Sequence, residues 1–288
     1  MTLAQALQQS TRTLSLNGIE DSHLEARILL QHMLKLSPAQ LYIQTERILS
    51  REQVKSLQEL IERRLCREPA AYIVGHKEFY GTDFYVDSRV LIPRPETETL
   101  VAAAFEFAEG YSNHLSSPGK PLLIADVGTG CGAIAISLAL NLPQSKVYAT
   151  DISPSALEVA RLNCEHHNVT EQIILVQGNL LEPVPEPVDL IVANLPYIRN
   201  SELANLSPEI TNFEPRVALD GGEGGLEQIR QLLKQAEGKI HPGGRLLFEI
   251  GQEQEKAVAS LINHCLPKAK FEFIPDSSGI DRAVRIDF

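Results

Sequence analysis

The chain has 288 residues, 43% of them hydrophobic, and a formal net charge of −11, so it can bury a sizeable core in one large domain or two ordinary ones. It contains no run of 18 apolar residues, and its first stretch, MTLAQALQQSTRTL, lacks the basic-then-apolar pattern of a secretory signal. We therefore expect a cytoplasmic protein that does not enter a membrane. Its four cysteines are far apart and its eight histidines lack metal-ligand spacing, which argues against a disulfide framework and predicts no metal site.

Charge is distributed unevenly along the chain. Residues 1–75 carry 9 basic and 8 acidic side chains, whereas residues 76–288 carry 17 basic and 29 acidic ones. Such an acidic surface disfavours a nucleic-acid backbone and favours a basic protein partner through long-range attraction. Plain solubility explains the charge equally well.

The first 70 residues predict a small all-helical bundle. The tetrapeptides SPAQ (37–40) and SREQ (50–53) resemble capping boxes, in which a serine and a glutamine satisfy the free amides at a helix start. Apolar residues that follow the second one recur on one helical face: Val54, Leu57, Leu60, Ile61 and Leu65. The pattern changes at residue 76.

Residues 76–92 alternate aromatic and β-branched residues with polar ones around Gly81, which predicts a β-hairpin. At Pro93 the chain then turns into a helix with Glu96 and Glu98 in its first turn, where acidic side chains suit the helix dipole. The polar stretch 111–121 predicts a loop. We therefore divide the chain into a helical domain (1–75), a hairpin linker (76–92) and a larger domain (93–288).

From Leu122 onward, predicted strands and helices alternate. The strand segments are LLIADVG, KVYATDIS, IILVQGNL, VDLIVANL and RLLFEIG, and the helical segments include AIAISLALNL, PSALEVARLNCEHH and GLEQIRQLLKQAEGKI. This alternation is typical of an α/β fold with a parallel sheet covered by helices on both faces. The last 18 residues, FEFIPDSSGIDRAVRIDF, predict an antiparallel hairpin at the edge of that sheet.

A glycine-rich loop, DVGTGCG, follows the first strand and opens a helix, which is the setting of a nucleotide-binding loop. Gly128, Gly130 and Gly132 allow a sharp turn close to a ligand, and Asp151 ends the next strand, where a carboxylate can accept the hydroxyls of a ribose. Gly128, Gly130 and Ala133 also satisfy the dinucleotide pattern GxGxxA, so NAD stays an alternative.

The tetrapeptide NLPY (194–197) ends another buried strand. Strand ends converge at one edge of a parallel sheet, so Asn194 should lie near Gly128, Asp151 and Asn179. The Asn194 side-chain oxygen and the Leu195 carbonyl, whose direction Pro196 restricts, can hold both N–H bonds of a planar amine, and Tyr197 offers an aromatic face. We interpret the tetrapeptide as a clamp for an amide or a base.

The order of glycine loop, strand-ending aspartate and N-x-P-Y resembles class I S-adenosylmethionine-dependent methyltransferases that act on nitrogen. Longer segments, among them IPRPETETLV, ATDISPSALEVARLN, FEPRVALDGGEGGL and LLFEIGQEQ, resemble the bacterial release-factor glutamine N5-methyltransferases over essentially the whole chain. The resemblance implies a Rossmann-like class I methyltransferase sheet, with an antiparallel C-terminal hairpin, preceded by a small helical domain that recognises the substrate.

The same resemblance implies methyl transfer from S-adenosylmethionine, leaving S-adenosylhomocysteine, to the glutamine of the GGQ loop in class I peptide-chain release factors. The chain would act as a monomer without direct contact to nucleic acid. The implied catalytic residues are Asn194, Leu195, Pro196 and Tyr197. The implied cofactor-binding residues are Gly128, Thr129, Gly130, Cys131, Gly132, Asp151, Asn179, Leu180 and Asn194. Members of that family usually carry NPPY, so Leu195 stands where they have a proline. Asn179 stands where they often have an aspartate.

Two further alternatives follow from the residues. An adenine-N6 methyltransferase acting on ribosomal RNA or DNA poses the same chemical problem, since NLPY also suits an exocyclic amino group, but no basic stripe with interleaved aromatics is present. A non-catalytic S-adenosylmethionine-binding module with an acidic docking face would use the same loop. Turnover on an isolated release factor distinguishes the enzyme from that module.

Overall fold

The computed structural model describes residues 1–112, 120–276 and 278–288, so most of the predicted loop at 111–121 lies outside the described residues. By their contacts these residues form two compact units, one of residues 1–76 with 207–213 and the other of residues 77–206 with 214–288. Within the described ranges, no helix is both long and apolar enough to cross a membrane. The division into functional domains at residues 75 and 92 stays a prediction.

Five helices precede the first strand. They are α1 Leu3–Leu16, α2 Ser22–Leu34, α3 Pro38–Ile43, α4 Arg51–Leu65 and α5 Ala70–Val74. Both predicted capping boxes are confirmed: the Ser37 hydroxyl accepts from the Gln40 amide at 3.2 Å, and the Ser50 hydroxyl accepts from the Gln53 amide at 3.1 Å. Such caps satisfy amides that have no partner within the helix. A third box at Thr2, with Gln5, starts α1.

The helices of the first unit pack around an apolar core. Its largest fully buried side chains are leucines, including Leu3, Leu14, Leu29 and Leu41. The predicted face of α4 does point inward, since Leu57 and Ile61 are buried and Val54, Leu60 and Leu65 pack against the same core. The helical periodicity of the sequence therefore predicted this part of the fold.

A short insertion completes the first unit. Residues 207–213, which include the helix Pro208–Phe213, lie in sequence between two segments of the second unit. By their contacts, however, they belong to the first unit. The buried Arg64 of α4 donates to Glu25 of α2 and, at 3.0 Å, to Glu209 of the inserted helix. Arg67 contacts Glu209 as well. The sequence pattern does not signal this insertion, because the charged residues are separated by more than a hundred positions in the chain.

The chain next forms a two-stranded sheet, β1 His76–Phe79 and β2 Thr82–Tyr85, followed by a 3₁₀ turn at Pro95–Thr97. The remaining strands are β3 Leu122–Val127, β4 Ser145–Asp151, β5 Ile173–Gln177, β6 Val188–Ala193, β7 Ile240–Glu249, β8 Lys270–Pro275 and β9 Asp281–Asp287. In chain order the other helices are α6 Glu98–Ser112, α7 Ala133–Asn141, α8 Pro154–His166, α9 Pro208–Phe213 (the inserted helix), α10 Glu227–Ala236 and α11 Glu255–Cys265.

The seven-stranded sheet has the order β5-β4-β3-β6-β7-β9-β8. Strands β3 to β7 run parallel, and β9 is antiparallel to both β7 and β8. This confirms the predicted α/β sheet with an antiparallel C-terminal hairpin. Chain order reverses between β3 and β6, which is the position where open parallel sheets bind ligands.

Two local differences from the sequence-based prediction concern this unit. The helical segment predicted to end at Ile240 ends at Ala236, and Ile240 begins β7 by pairing with Val188 of β6. Helix α11 was not predicted. At Ile240 the apolar spacing suits a helix or a strand, and the pairing with β6 decides the outcome.

We expect Arg64→Met to lower the free energy of unfolding by about 3 kcal/mol, because Glu25 and Glu209 lose their buried partner while the apolar stem is kept. Urea unfolding of the full chain, followed by circular dichroism, measures this.

The matched control is Lys55→Met on the same helix, whose ion pair with Glu59 is largely exposed and should contribute no more than about 0.5 kcal/mol. Equal stability of the Arg64 and Lys55 variants would show that the buried arginine does not stabilise the unit.

Candidate active site

A cleft of about 850 Å³ opens at the carboxyl ends of β3, β4 and β6, entirely within the second unit. Eight of the site residues predicted from the sequence line it: Gly128, Gly130, Asp151, Asn179, Leu180, Asn194, Leu195 and Pro196. Four other predicted residues, all of them described by the structure, lie outside this lining: Thr129, Cys131, Gly132 and Tyr197. The sequence analysis did not assign the rest of the wall to the site, and half of these remaining lining residues are Arg89, Val90, Leu91, Pro215, Val217 and Ala218.

The glycine loop is held tightly against the strands. The amides of Gly128 and Thr129 both donate to the Thr150 carbonyl at 2.9 Å. Gly128 has φ +75°, and a Cβ there would meet the Leu195 side chain at 3.2 Å. A side chain at Gly128 would therefore be strained in its backbone and would press on the NLPY segment. The loop backbone consequently forms one wall of the cleft.

Thr129 and Cys131 fix the loop from behind. The Thr129 hydroxyl donates to the buried Asp126 at 2.6 Å, and the Cys131 carbonyl accepts from the buried Asn163 side chain at 2.8 Å. Gly132 has φ +85°, which disfavours any side chain there, and a Cβ would lie a tight 3.0 Å from the Ile136 side chain of α7. These three residues shape the loop rather than face the cleft.

Asp126 is a buried carboxylate that the sequence analysis missed. Its Oδ2 accepts from Thr129 and from the Ala135 amide at 3.1 Å, while its Oδ1 has no hydrogen-bond partner among the described residues. Burial raises the pKa of Asp126 to about 7. The DVG of the glycine motif was visible in the sequence, but the burial of its aspartate was not.

Asp151 lines the cleft and is braced by the backbone. Its Oδ2 accepts from the Gly130 amide and its Oδ1 accepts from the Ser153 amide, both at 2.9 Å. Burial raises the pKa of this carboxyl, and the backbone hydrogen bonds oppose that effect. Each oxygen keeps a second acceptor position for a ligand.

Asn179 and Leu180 form another part of the wall. The Asn179 amide donates to Glu182 at 3.0 Å and to Gln231 at 3.4 Å. Leu180 has a φ of +53°, and its carbonyl accepts from the buried Thr150 hydroxyl at 2.9 Å. A leucine in this left-handed conformation is held there by its surroundings.

Asn194 lines the cleft, and the NH₂ end of its side chain is held by a hydrogen bond. Its Nδ2 donates to the Thr97 hydroxyl at 2.9 Å, and that hydroxyl donates to Glu249 at 2.6 Å. The Tyr197 hydroxyl donates to the other oxygen of Glu249 at 3.2 Å. Burial raises the pKa of Glu249 to about 7, and it also raises the pKa of Tyr197. We call these four side chains the NLPY network.

The backbone of the tetrapeptide is also enclosed. A Cβ at Gly221 would lie 2.8 Å from the Pro196 carbonyl, and one at Gly225 would lie 2.5 Å from the Tyr197 carbonyl. The buried Gln254 donates to that same Tyr197 carbonyl at 2.9 Å. Only glycine permits so close an approach, so the DGGEGG loop fixes the path of the NLPY backbone.

Sequence reasoning alone missed Thr97, Glu249, Gln254, Gly221 and Gly225. Each lies in a segment whose resemblance to a known family was noted, namely RPET, FEIG, GQEQ and DGGEGG. The resemblance therefore pointed to these segments. It did not reveal the individual contacts, because they join segments that are far apart in the chain.

Comparison with known proteins agrees with this architecture. Residues 5–75 match the PrmC N-terminal domain family, and residues 112–212 match the methyltransferase small domain family. In solved structures, the hMettl16 catalytic domain in complex with MAT2A 3′UTR hairpin 6 is similar in fold alone, with a TM-score of 0.58 at 17% identity, covering 79% of this chain and 82% of that one.

Curated relatives are much closer in sequence. The release factor glutamine methyltransferase of Moorella thermoacetica is 41% identical, over 98% of this chain and 97% of its own length. That of Cereibacter sphaeroides is 38% identical, over 99% and 98%. A bifunctional methyltransferase of Rickettsia prowazekii is also 38% identical, but only 52% of its length is covered. On this full-length similarity, the chain belongs to the release factor glutamine methyltransferase family.

Proposed function

We propose that this enzyme transfers a methyl group from S-adenosylmethionine to the side-chain amide nitrogen of the glutamine in the GGQ loop of class I peptide-chain release factors. The observation that carries the proposal is the Asn194 carboxamide, which lines the cleft while its Nδ2 is held by Thr97. An amide fixed in this way presents its oxygen as the acceptor. Family membership supports the same reaction.

The residues at the cleft fit S-adenosylmethionine. Asp151 keeps two open acceptor positions at the end of β4, which suits the two hydroxyls of a ribose. Gly128 and Gly130 bring bare backbone to the cleft where the methionine part would lie, and Leu180 offers an apolar wall for adenine beside Asn179. When bound, the cofactor supplies an electrophilic methyl group.

Asn194 and Leu195 then act on the substrate amide. The nitrogen lone pair of an amide is delocalised, so the enzyme has to hold both N–H bonds while the nitrogen becomes tetrahedral. The Asn194 Oδ1 accepts one N–H and the Leu195 carbonyl accepts the other, and Pro196 restricts the direction of that carbonyl. Tyr197 lies outside the cleft lining but directly follows Pro196, and we propose that its ring, held by the hydrogen bond to Glu249, borders the substrate amide. No strong base is needed, because the proton leaves after the methyl group has bonded.

Binding strength has to come from surfaces remote from the glutamine, because a Gly-Gly-Gln loop offers little area. We assign this role to the helical residues 1–75 and to the acidic surface of residues 76–288, whose formal charge of −12 attracts a basic partner. All the residues that line the cleft belong to one unit of one chain. The proposal therefore needs only a monomer, acting in the cytoplasm where release factors work.

For the cofactor site, we expect Asp151→Ala to weaken S-adenosylmethionine binding by about 1.5–3 kcal/mol, the usual contribution of hydrogen bonds to a charged group. Titration calorimetry measures it, with the exposed Glu171→Ala as the charge-matched control. Unchanged affinity in a folded Asp151 variant would reject the ribose assignment.

For the clamp, Asn194→Ala should lower the methylation rate about 100-fold or more while leaving cofactor affinity largely intact, because the lost acceptor matters most in the transition state. Single-turnover assays with intact release factor separate the two quantities. The exposed Asn205→Ala serves as the control. A fully active Asn194→Ala enzyme would remove the clamp from the mechanism.

For the substrate, replacing the GGQ glutamine of a release factor by glutamate should abolish labelling from methyl-labelled S-adenosylmethionine, since the acceptor nitrogen is gone. The unaltered release factor is the positive control. Labelling that persists in the glutamate variant, or transfer to RNA in a cell extract instead, would contradict the assignment.

A further inference from the structure

Glu249, at the end of β7, lies outside the cleft lining, and the mechanism above gives it no role beyond its hydrogen bond to Tyr197. It is only 2% exposed, and no ion pair to it is found among the described residues. Its oxygens instead accept the Thr97 hydroxyl at 2.6 Å and the Tyr197 hydroxyl at 3.2 Å. Burying a carboxylate without a cation costs stability. A hydrophobic residue or a glutamine would fill this position at a lower cost.

The hydrogen-bond directions in the NLPY network follow from counting protons. An ionised carboxylate can only accept hydrogen bonds. The Thr97 and Tyr197 hydroxyls, which have one hydrogen each, must therefore both donate to Glu249. The Thr97 oxygen is then left with lone pairs alone on its other side, and its remaining contact at 2.9 Å is Asn194. Only the NH₂ end of the Asn194 carboxamide can satisfy that contact. The Oδ1 end is thereby directed away from Thr97.

Without an obligate acceptor at Glu249, this order is lost. The Thr97 hydroxyl could then donate to Asn194 Oδ1, and the carboxamide could turn over at almost no cost in shape. An Asn194 that presents NH₂ cannot accept the N–H of a substrate amide, although its position is unchanged. Leu195 and Pro196 cannot compensate, because their carbonyls are fixed by the backbone.

We propose that Glu249 is a positioning residue for methyl transfer: by accepting from Thr97 and Tyr197, it sets the direction of hydrogen bonding that holds the Asn194 oxygen toward the substrate amide and orients the Tyr197 ring. This inference rests on the proposed function. It adds one residue that touches neither substrate nor cofactor. That residue nevertheless determines whether the substrate amide meets the oxygen or the NH₂ group of Asn194.

The protonation of Glu249 supports this role. Burial raises its pKa to about 7, Thr97 and Tyr197 lower it by their hydrogen bonds, Glu96 raises it, and Arg282 lowers it. The charged groups that affect the adjoining Tyr197 are Glu249 itself, Arg282 and Arg94. Only the ionised form accepts from both hydroxyls, so the methylation rate should be highest above about pH 7 and should fall as the pH drops through that value.

The test uses the full-length enzyme and an intact release factor with methyl-labelled S-adenosylmethionine. We expect Glu249→Gln to lower kcat about 10- to 100-fold, the scale of a misplaced catalytic group, with cofactor affinity by calorimetry unchanged. Its thermal unfolding midpoint should be equal or higher, because a buried charge is removed. The kcat step near pH 7 should disappear in this variant.

Thr97 provides the matched pair of variants. Thr97→Val removes the hydroxyl at nearly constant volume and should lower kcat to a similar extent, whereas Thr97→Ser should restore most of that loss. The double variant Glu249→Gln with Thr97→Val should be hardly slower than either single one, because both break the same chain of hydrogen bonds.

The outcomes separate the two proposals. A wild-type enzyme that labels no release factor overturns the proposed function, and this inference with it. An active wild type with a Glu249→Gln variant within twofold of its kcat overturns the positioning role alone, as does a double variant whose losses multiply. If Glu249→Gln fails to fold, the Thr97 valine and serine variants decide the matter by the same comparison of kcat.

Discussion

The parallel pairing of β3 with β6 is the constraint on which the site depends. Its register places Val127 beside Ala193, so the glycine loop and the NLPY segment leave the sheet side by side. Because Gly128 has no side chain, Leu195 can pack against the loop. The part of the site that suits a cofactor and the part that suits an amide are therefore held side by side by the pairing of these two strands.

The positions of residues that directly follow a strand could be predicted from the sequence. Hydrogen-bond partners that are distant in the chain could not. Gly128, Asp151 and Asn194 each follow a strand, and the general rule for parallel sheets brings such residues to one edge, where the structure indeed has them lining one cleft. The partner of Asn194 is Thr97, 97 residues earlier in the chain, and the partner of Thr97 is Glu249, which is 152 residues after Thr97. No local pattern encodes such a pair. Periodicity also gave a wrong helical prediction at the start of β7, because Ile240 suits a helix as well as a strand and only its pairing with Val188 makes it a strand residue.

Buried carboxylates recur around the cleft. Asp126 and Glu249 are both almost inaccessible, and burial raises the pKa of each to about 7. Each accepts a hydrogen bond from a threonine hydroxyl with an oxygen–oxygen distance of 2.6 Å. The donor is Thr129 for Asp126 and Thr97 for Glu249. Thr129 holds the glycine loop, and Thr97 holds Asn194. Each half of the site is thus stiffened by an acid that costs stability, which is a common compromise where rigidity serves chemistry.

The inserted helix α9 also affects the order in which the protein can be completed during synthesis. Arg64 and Glu209 are 145 positions apart, so the helical unit leaves the ribosome long before its last ion-pair partner exists. At translation rates of about 5–20 residues per second, Arg64 waits roughly 7–30 s for Glu209. In that interval Glu25 is its only acidic partner among the described residues that precede Glu209. The nascent helical bundle therefore reaches its final stability only after the four strands β3 to β6 of the large sheet have been translated.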